Sequence, residues 1–138
     1  MYYKYNPEKL FAGHSYGNRN AFLRLSPSSD IEGLWSSVSN KFIVGRLRTM
    51  LYVDGLPANP QETIFEPHKQ STAFSKDGVV LRKEIVLPIS DSNECSASLE
   101  SFYQRITIQN QSAEDRKFRI EVEIIFHGVD SPFFPKKS

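Results

Sequence analysis

The sequence predicts an all-β fold, an antiparallel β-sandwich, and three observations carry that reading. Across residues 117–127, Phe118, Ile120, Val122, Ile124 and Phe126 alternate with Lys117, Arg119, Glu121, Glu123, Ile125 and His127. Successive side chains of a strand point to opposite faces, so this period of two marks a strand with one buried face. No stretch keeps a helical period over three turns, and no internal repeat is present. Seven or eight short apolar runs are separated by Gly, Pro, Asp and Asn turns, a pattern that favours a sandwich over a barrel.

Taken in order, residues 1–20 are rich in Tyr, Asn, Gly and charge and hold no sustained period. Asn6 before Pro7 reads as a capped helix start that Gly13 ends within two turns. Residues 21–25 form a short strand, 26–30 (Ser-Pro-Ser-Ser-Asp) a loop, and 31–35 resume apolar character before a polar break at 36–40. Residues 41–53 are the longest strand of the first half, with Gly45 read as a bulge because the alternation breaks there.

Asp54-Gly55 is a turn, since both residues adopt positive φ cheaply. Pro57 and Pro60 mark residues 56–60 as loop, and 61–66 as an edge strand stopped by Pro67. Residues 70–74 and 79–87 make a hairpin around 75–78, where Lys76-Asp77-Gly78 suits a type I turn with a left-handed glycine. Pro88 ends that strand, and residues 90–96 are a polar connection.

In 99–109, Phe102, Ile106 and Ile108 share one face with Gln104, while Tyr103, Arg105, Thr107 and Gln109 share the other. Paired with 117–127 across polar 110–116, this reads as an antiparallel hairpin. Val122 then lies in the core, and Val122→Asp is expected to cost several kcal/mol. Phe133 and Phe134, in the loop after His127, are expected to pack back on a neighbouring surface.

The 138 residues fit one domain spanning 1–138. With 39% apolar and 24% charged residues the composition is that of a globular domain. A net charge of +1 with small scattered basic pairs argues against nucleic acid, which demands a clustered basic footprint. The start has no apolar signal core and no run approaches a membrane span, so no membrane partner is expected. Cys95 is the only cysteine, which fits a reducing compartment, and a cytoplasmic location is expected.

His14, His68 and His127 lie far apart without metal-ligand spacing, so no metal or cofactor is expected. Nucleophile-elbow, phosphate-loop and dinucleotide motifs are absent, and Cys95 has no basic neighbour to activate it. Glu62, Glu66, Glu84, Glu121 and Glu123 are the carboxylates with which an acid/base pair would be built. Glu121 and Glu123 read as a solvated strand face beside Lys and Arg, and no catalytic residue is assigned. Aromatics reach 12%, and a sugar-stacking platform from Trp35, Tyr52 or Tyr103, with His68 as a loop contact, is the candidate ligand site. Asn110-Gln111-Ser112 matches a glycosylation acceptor.

Gly33-Leu34, residues 51–57 (Leu-Tyr-Val-Asp-Gly-Leu-Pro), Asp77-Gly78 leading into 79–88, and 104–110 followed by 118–126 together form a linear pattern. That pattern resembles the N-terminal β-sandwich domain preceding the (α/α)6-barrel catalytic domain of glycogen-debranching-type glycoside hydrolases, and the resemblance implies a supersandwich-like form. The resemblance covers about two-thirds of the chain and rests on strand and turn phrases. It implies a non-catalytic accessory domain of a carbohydrate-active enzyme, whose partners are a helical catalytic domain or an oligosaccharide. The family's catalytic carboxylates would lie in that barrel, so none is carried over. A free-standing carbohydrate- or protein-binding module is the alternative, and an enzyme in its own right has the least support.

Overall fold

The computed structural model describes residues 3–9, 13–17, 21–37, 39–87 and 102–126. It is an all-β antiparallel sandwich of two sheets that do not close into a barrel. The strands are β1 (Tyr3–Tyr5), β2 (Ser15–Gly17), β3 (Ala21–Leu25), β4 (Ile31–Ser36), β5 (Lys41–Val53) and β6 (Leu56–Pro57). They continue as β7 (Asn59–Glu66), β8 (Lys69–Lys76), β9 (Val79–Val86), β10 (Tyr103–Asn110) and β11 (Phe118–Phe126). One sheet has the order β1-β7-β8-β9-β10, the other β11-β5-β4-β3-β2, with β6 paired to β5. Cys95, His127, Phe133 and Phe134 lie outside the described residues.

Local chemistry accounts for most elements. Asn6 caps a 3-10 turn, Pro7–Lys9, by accepting the Glu8 N–H at 3.0 Å, and among the described residues there is no longer helix. Gly45 does sit at a bulge, because Ile125 pairs with Arg46 while Phe126 pairs with Val44. Asp54 and Gly55 both take positive φ, as do Asp77 and Gly78. Each pair therefore closes a two-residue hairpin of type I′, whose twist matches its strands, and 76–78 is not the type I turn expected.

Two expectations about residues 56–66 are corrected. Residues 56–60 are not loop throughout, since β6 and the start of β7 occupy them. Pro60 is tolerated because β1 pairs only with Thr63–Phe65, so its missing N–H faces no partner strand, and a bulge lies between Pro60 and Glu62. β7 itself is an interior strand, covered by three-residue β1.

The largest correction concerns the final pair. β10 pairs with β9 in one sheet and β11 pairs with β5 in the other, so they form an arch across the sandwich and not a hairpin. The connector is tied to both sheets: Gln111 N–H donates to the Gly78 carbonyl at 2.9 Å, and Lys117 N–H donates to the Asp54 carboxylate at 2.9 Å. Arg116 adds an ion pair to Asp54 at 3.0 Å.

The core has two apolar clusters, one around Leu23, Leu25, Ile31, Leu47, Ile85 and Leu87, the other around Leu51, Val53, Phe74, Val79 and Leu81. Buried Thr49, Thr63, Gln70, Thr72 and Lys83 add a polar layer to this interior. The apolar row of β11 shares its face with buried Val53, Leu51, Thr49 and Leu47 of β5. It is nonetheless uncovered: Phe118, Ile120, Val122, Ile124 and Phe126 are 39–68% exposed. Val122 does not lie in the core. Period two reports which face a side chain takes, and among the described residues nothing covers the inner face of β11, the terminal strand of its sheet.

Candidate functional site

An aromatic concavity opens at the β1/β2 edge, where the two sheets part. β1 pairs with β7 so that Tyr3 stands opposite Phe65 and Tyr5 opposite Thr63, which puts both tyrosines on the side facing β2. His14, just before β2, stacks on Phe65 with centroids 5.7 Å apart and meets Tyr16 edge-on at 4.6 Å. Tyr5 leans on Phe65 at 5.3 Å. Tyr3, Tyr5, His14, Phe65, Glu66 and Pro67 enclose about 420 Å3, within the range of small-ligand sites.

Two hydrogen bonds hold this mouth in shape. The Tyr16 hydroxyl donates to the Lys69 carbonyl at 2.7 Å, and His14 N–H donates to Gln70 Oε1 at 3.1 Å. Burial pushes the Tyr16 phenol above its usual range, so it stays a donor through the physiological span. The pocket walls are thus flat apolar rings, with the Glu66 carboxylate at the rim.

Glu66 also borders a shallower polar groove of about 380 Å3 on the outer face, with Lys4, Ser71, Arg82 and Glu84. Lys69 bridges Glu66 at 3.2 Å and Glu84 at 3.4 Å, and Arg105 pairs with Glu84 from the next strand. Hydrogen bonding to Arg105, helped by the Lys69 charge, holds the Glu84 carboxyl below the usual glutamate range. The Glu66 bond raises the Lys69 ammonium in turn. A carboxylate so paired is a hydrogen-bond acceptor and a poor proton donor near neutral pH.

A third concavity, about 250 Å3, opens beside β5 where β4 has ended, lined in part by Asp30, Thr49, Phe74 and Lys83. The Lys83 ammonium is 1% exposed, donates to Asp30 Oδ1 at 2.7 Å and to the Thr49 carbonyl at 3.4 Å, and lies 5.4 Å from the Phe74 ring centroid. Desolvation pushes its pKa below the usual lysine range against the pull of Asp30. Among the described residues every buried polar side-chain atom has a partner, and this pair reads as an internal pin.

The candidate residues from the sequence are not brought together. Trp35 lies half-buried on the outer face of the second sheet, in a cross-strand row between Phe22 and Phe42. Tyr52 lies on that same face but about 33 Å along β5 from Phe42, under the Arg119 guanidinium at 4.3 Å. His68 is exposed in the β7–β8 turn beside Pro67, and Tyr103 is 63% exposed on the opposite outer face. The pocket residues Tyr3, Tyr5, His14 and Phe65 escaped notice because β1 and β2 are three residues each, too short to show a period. The one signal was the tyrosine spacing of residues 2–5. Among the described residues no three His, Cys, Asp or Glu side chains gather for a metal, and no helix is long and apolar enough to cross a membrane. Comparison with protein-family models, curated proteins and solved structures gave no match.

Proposed function

We propose that this chain is a non-catalytic carbohydrate-binding β-sandwich, an accessory domain of a glycoside-hydrolase-type enzyme. The observation that carries the reading is the aromatic mouth between β1 and β2. A sugar ring offers an apolar C–H face with hydroxyls at its edge, and Tyr3, Tyr5 and Phe65 supply apolar walls while Glu66 supplies an acceptor at the rim. The pairing of Glu84 with Arg105 and Lys69 supports a binding role over general acid catalysis. The strand-and-turn resemblance to debranching-type hydrolases supports a glucan as the sugar and a helical catalytic domain as the neighbour. The bare apolar row of β11 favours a second reading, in which the module binds protein.

Calorimetric titration of the purified chain with malto-oligosaccharides tests the first reading. Saturable binding at millimolar sugar is expected, weakened about tenfold by Tyr5→Ala and unchanged by Trp35→Ala. Binding lost in Trp35→Ala and retained in Tyr5→Ala moves the site to the Phe22–Trp35–Phe42 row. No binding to any oligosaccharide refutes the carbohydrate reading.

A further inference from the structure

We infer that the free edge of β11 is a self-pairing surface through which two copies of this chain join antiparallel about Ile120. β11 ends its sheet, and among the described residues no strand pairs with its far edge. Its main-chain groups are sorted by the contacts of Lys117. Lys117 N–H reaches the Asp54 carboxylate and its carbonyl accepts the Asp54 N–H at 2.8 Å, so this residue faces the β5 side. By alternation, Phe118, Ile120, Val122 and Ile124 turn their N–H and C=O groups to the open edge. The same four residues carry the uncovered apolar row, so backbone and side chains both invite a strand.

Charge selects the occupant and the register. In a two-fold pairing centred on Ile120, Arg119 faces Glu121 of the second copy and Lys117 faces its Glu123, each contact occurring twice. Phe118 then meets Val122, and Ile120 meets itself. Centred on Val122 instead, Glu121 would oppose Glu123 twice; centred on Glu121, that carboxylate would oppose its own copy; centred on Arg119, two guanidiniums would meet. Like charges directly opposite destabilise a ladder, and opposite ones stabilise it. The Ile120 register alone among these sets no like charges against each other. Within one copy Arg119 lies 3.2 Å from Glu121 of its own strand and over the Tyr52 ring of β5, so the dimer exchanges an intrastrand ion pair for the equivalent pair with the second copy.

Sedimentation velocity of the purified chain over a concentration series tests the proposal. A reversible dimer is expected, with a dissociation constant on the order of 10 µM. Arg119→Glu and Glu121→Arg, each alone, oppose like charges in both symmetric contacts and should weaken the dimer about tenfold or more. The double variant Arg119→Glu/Glu121→Arg restores opposite charges and should recover affinity to within about threefold. All these side chains are at the surface, and circular dichroism verifies that each variant is folded. A monomer at every concentration overturns the proposal. So does a dimer indifferent to the single reversals, or a double variant no tighter than the singles, since either places another face or another occupant at the contact.

Discussion

Asp30→Ala tests the reasoning about the interior most directly. Lys83 is 1% exposed, and its one anionic partner among the described residues is the Asp30 carboxylate at 2.7 Å, itself 19% exposed. The same carboxylate oxygen accepts the Thr49 N–H at 3.0 Å, so truncation strands both a buried cation and a backbone donor. Removing one partner of a buried pair costs about 3–5 kcal/mol. A ceiling follows from proton chemistry: releasing the proton of a normal lysine at neutral pH costs about 4–5 kcal/mol, and a larger penalty would be escaped by deprotonation. The expected loss is therefore about 3–5 kcal/mol, a fall in Tm of roughly 10–20 °C for a domain of this size. Urea unfolding followed by the fluorescence of Trp35, the only tryptophan, reads it. The sign with pH is also determined. In the variant the folded state resists protonating Lys83, while the unfolded chain stays protonated up to about pH 10. The unfolded state then binds more protons, so the variant regains stability as pH rises from about 7 towards 10. Adding Lys83→Met should recover most of the loss, because no uncompensated charge remains. A loss below about 1 kcal/mol, or one that is the same at neutral and alkaline pH, refutes the argument.

Three further outcomes are expected. Glu84, whose carboxyl is held low by Arg105 and then Lys69, contributes stability that is present above the ordinary glutamate pKa and lost as pH falls through the lower folded value. Glu84→Gln should cost about 1 kcal/mol at neutral pH, with a difference from wild type that shrinks below about pH 4 in acid melts. Gly13→Ala should cost about 1–3 kcal/mol, because a Cβ there collides with the Leu25 and Ser26 carbonyls; Gly17→Ala, whose Cβ meets nothing closer than 3.8 Å, should be milder in the same urea assay. Val122→Asp should cost no more than about 1 kcal/mol when measured in dilute solution, and a loss of several kcal/mol would mean that β11 is covered after all.

Alternation and turn chemistry made the strands legible: residues 41–53 are one strand with Gly45 at its bulge, Asp54-Gly55 turns it into β6, and Asp77-Gly78 turns β8 into β9. Pairing was less legible, because strands at 103–110 and 118–126 joined by a polar link are compatible with a hairpin or an arch. What decides is the bonding of Gln111 to Gly78 and of Lys117 to Asp54, contacts 33 and 63 residues apart in sequence. Depth was illegible for β11, since alternation specifies the face of a side chain and not whether another sheet covers it. Lys83 was within reach: it holds an inward position among Val79, Leu81, Ile85 and Leu87, and a lysine there demands a buried anion.

That anion comes from residues 26–30, which composition marked only as a loop. Ser26 accepts the Asp30 N–H on its hydroxyl at 2.9 Å and donates its own N–H to the Asp30 carbonyl at 2.8 Å, while Ser29 takes a left-handed φ of 63°. The tight turn projects polar groups from the second sheet onto three successive strands of the first. Thr63 of β7 donates to the Pro27 carbonyl at 2.6 Å, Thr72 of β8 bonds the Ser29 hydroxyl at 2.7 Å, Gln70 donates to the Ser26 carbonyl at 2.7 Å, and Lys83 of β9 reaches Asp30. Apolar contact between two sheets is nearly indifferent to small sliding, because area buried changes little. Directional bonds to β7, β8 and β9 are not indifferent, and a slip of one residue would strand every one of them in a dry interior. The apolar clusters drive the two sheets together, and this loop sets how one lies on the other.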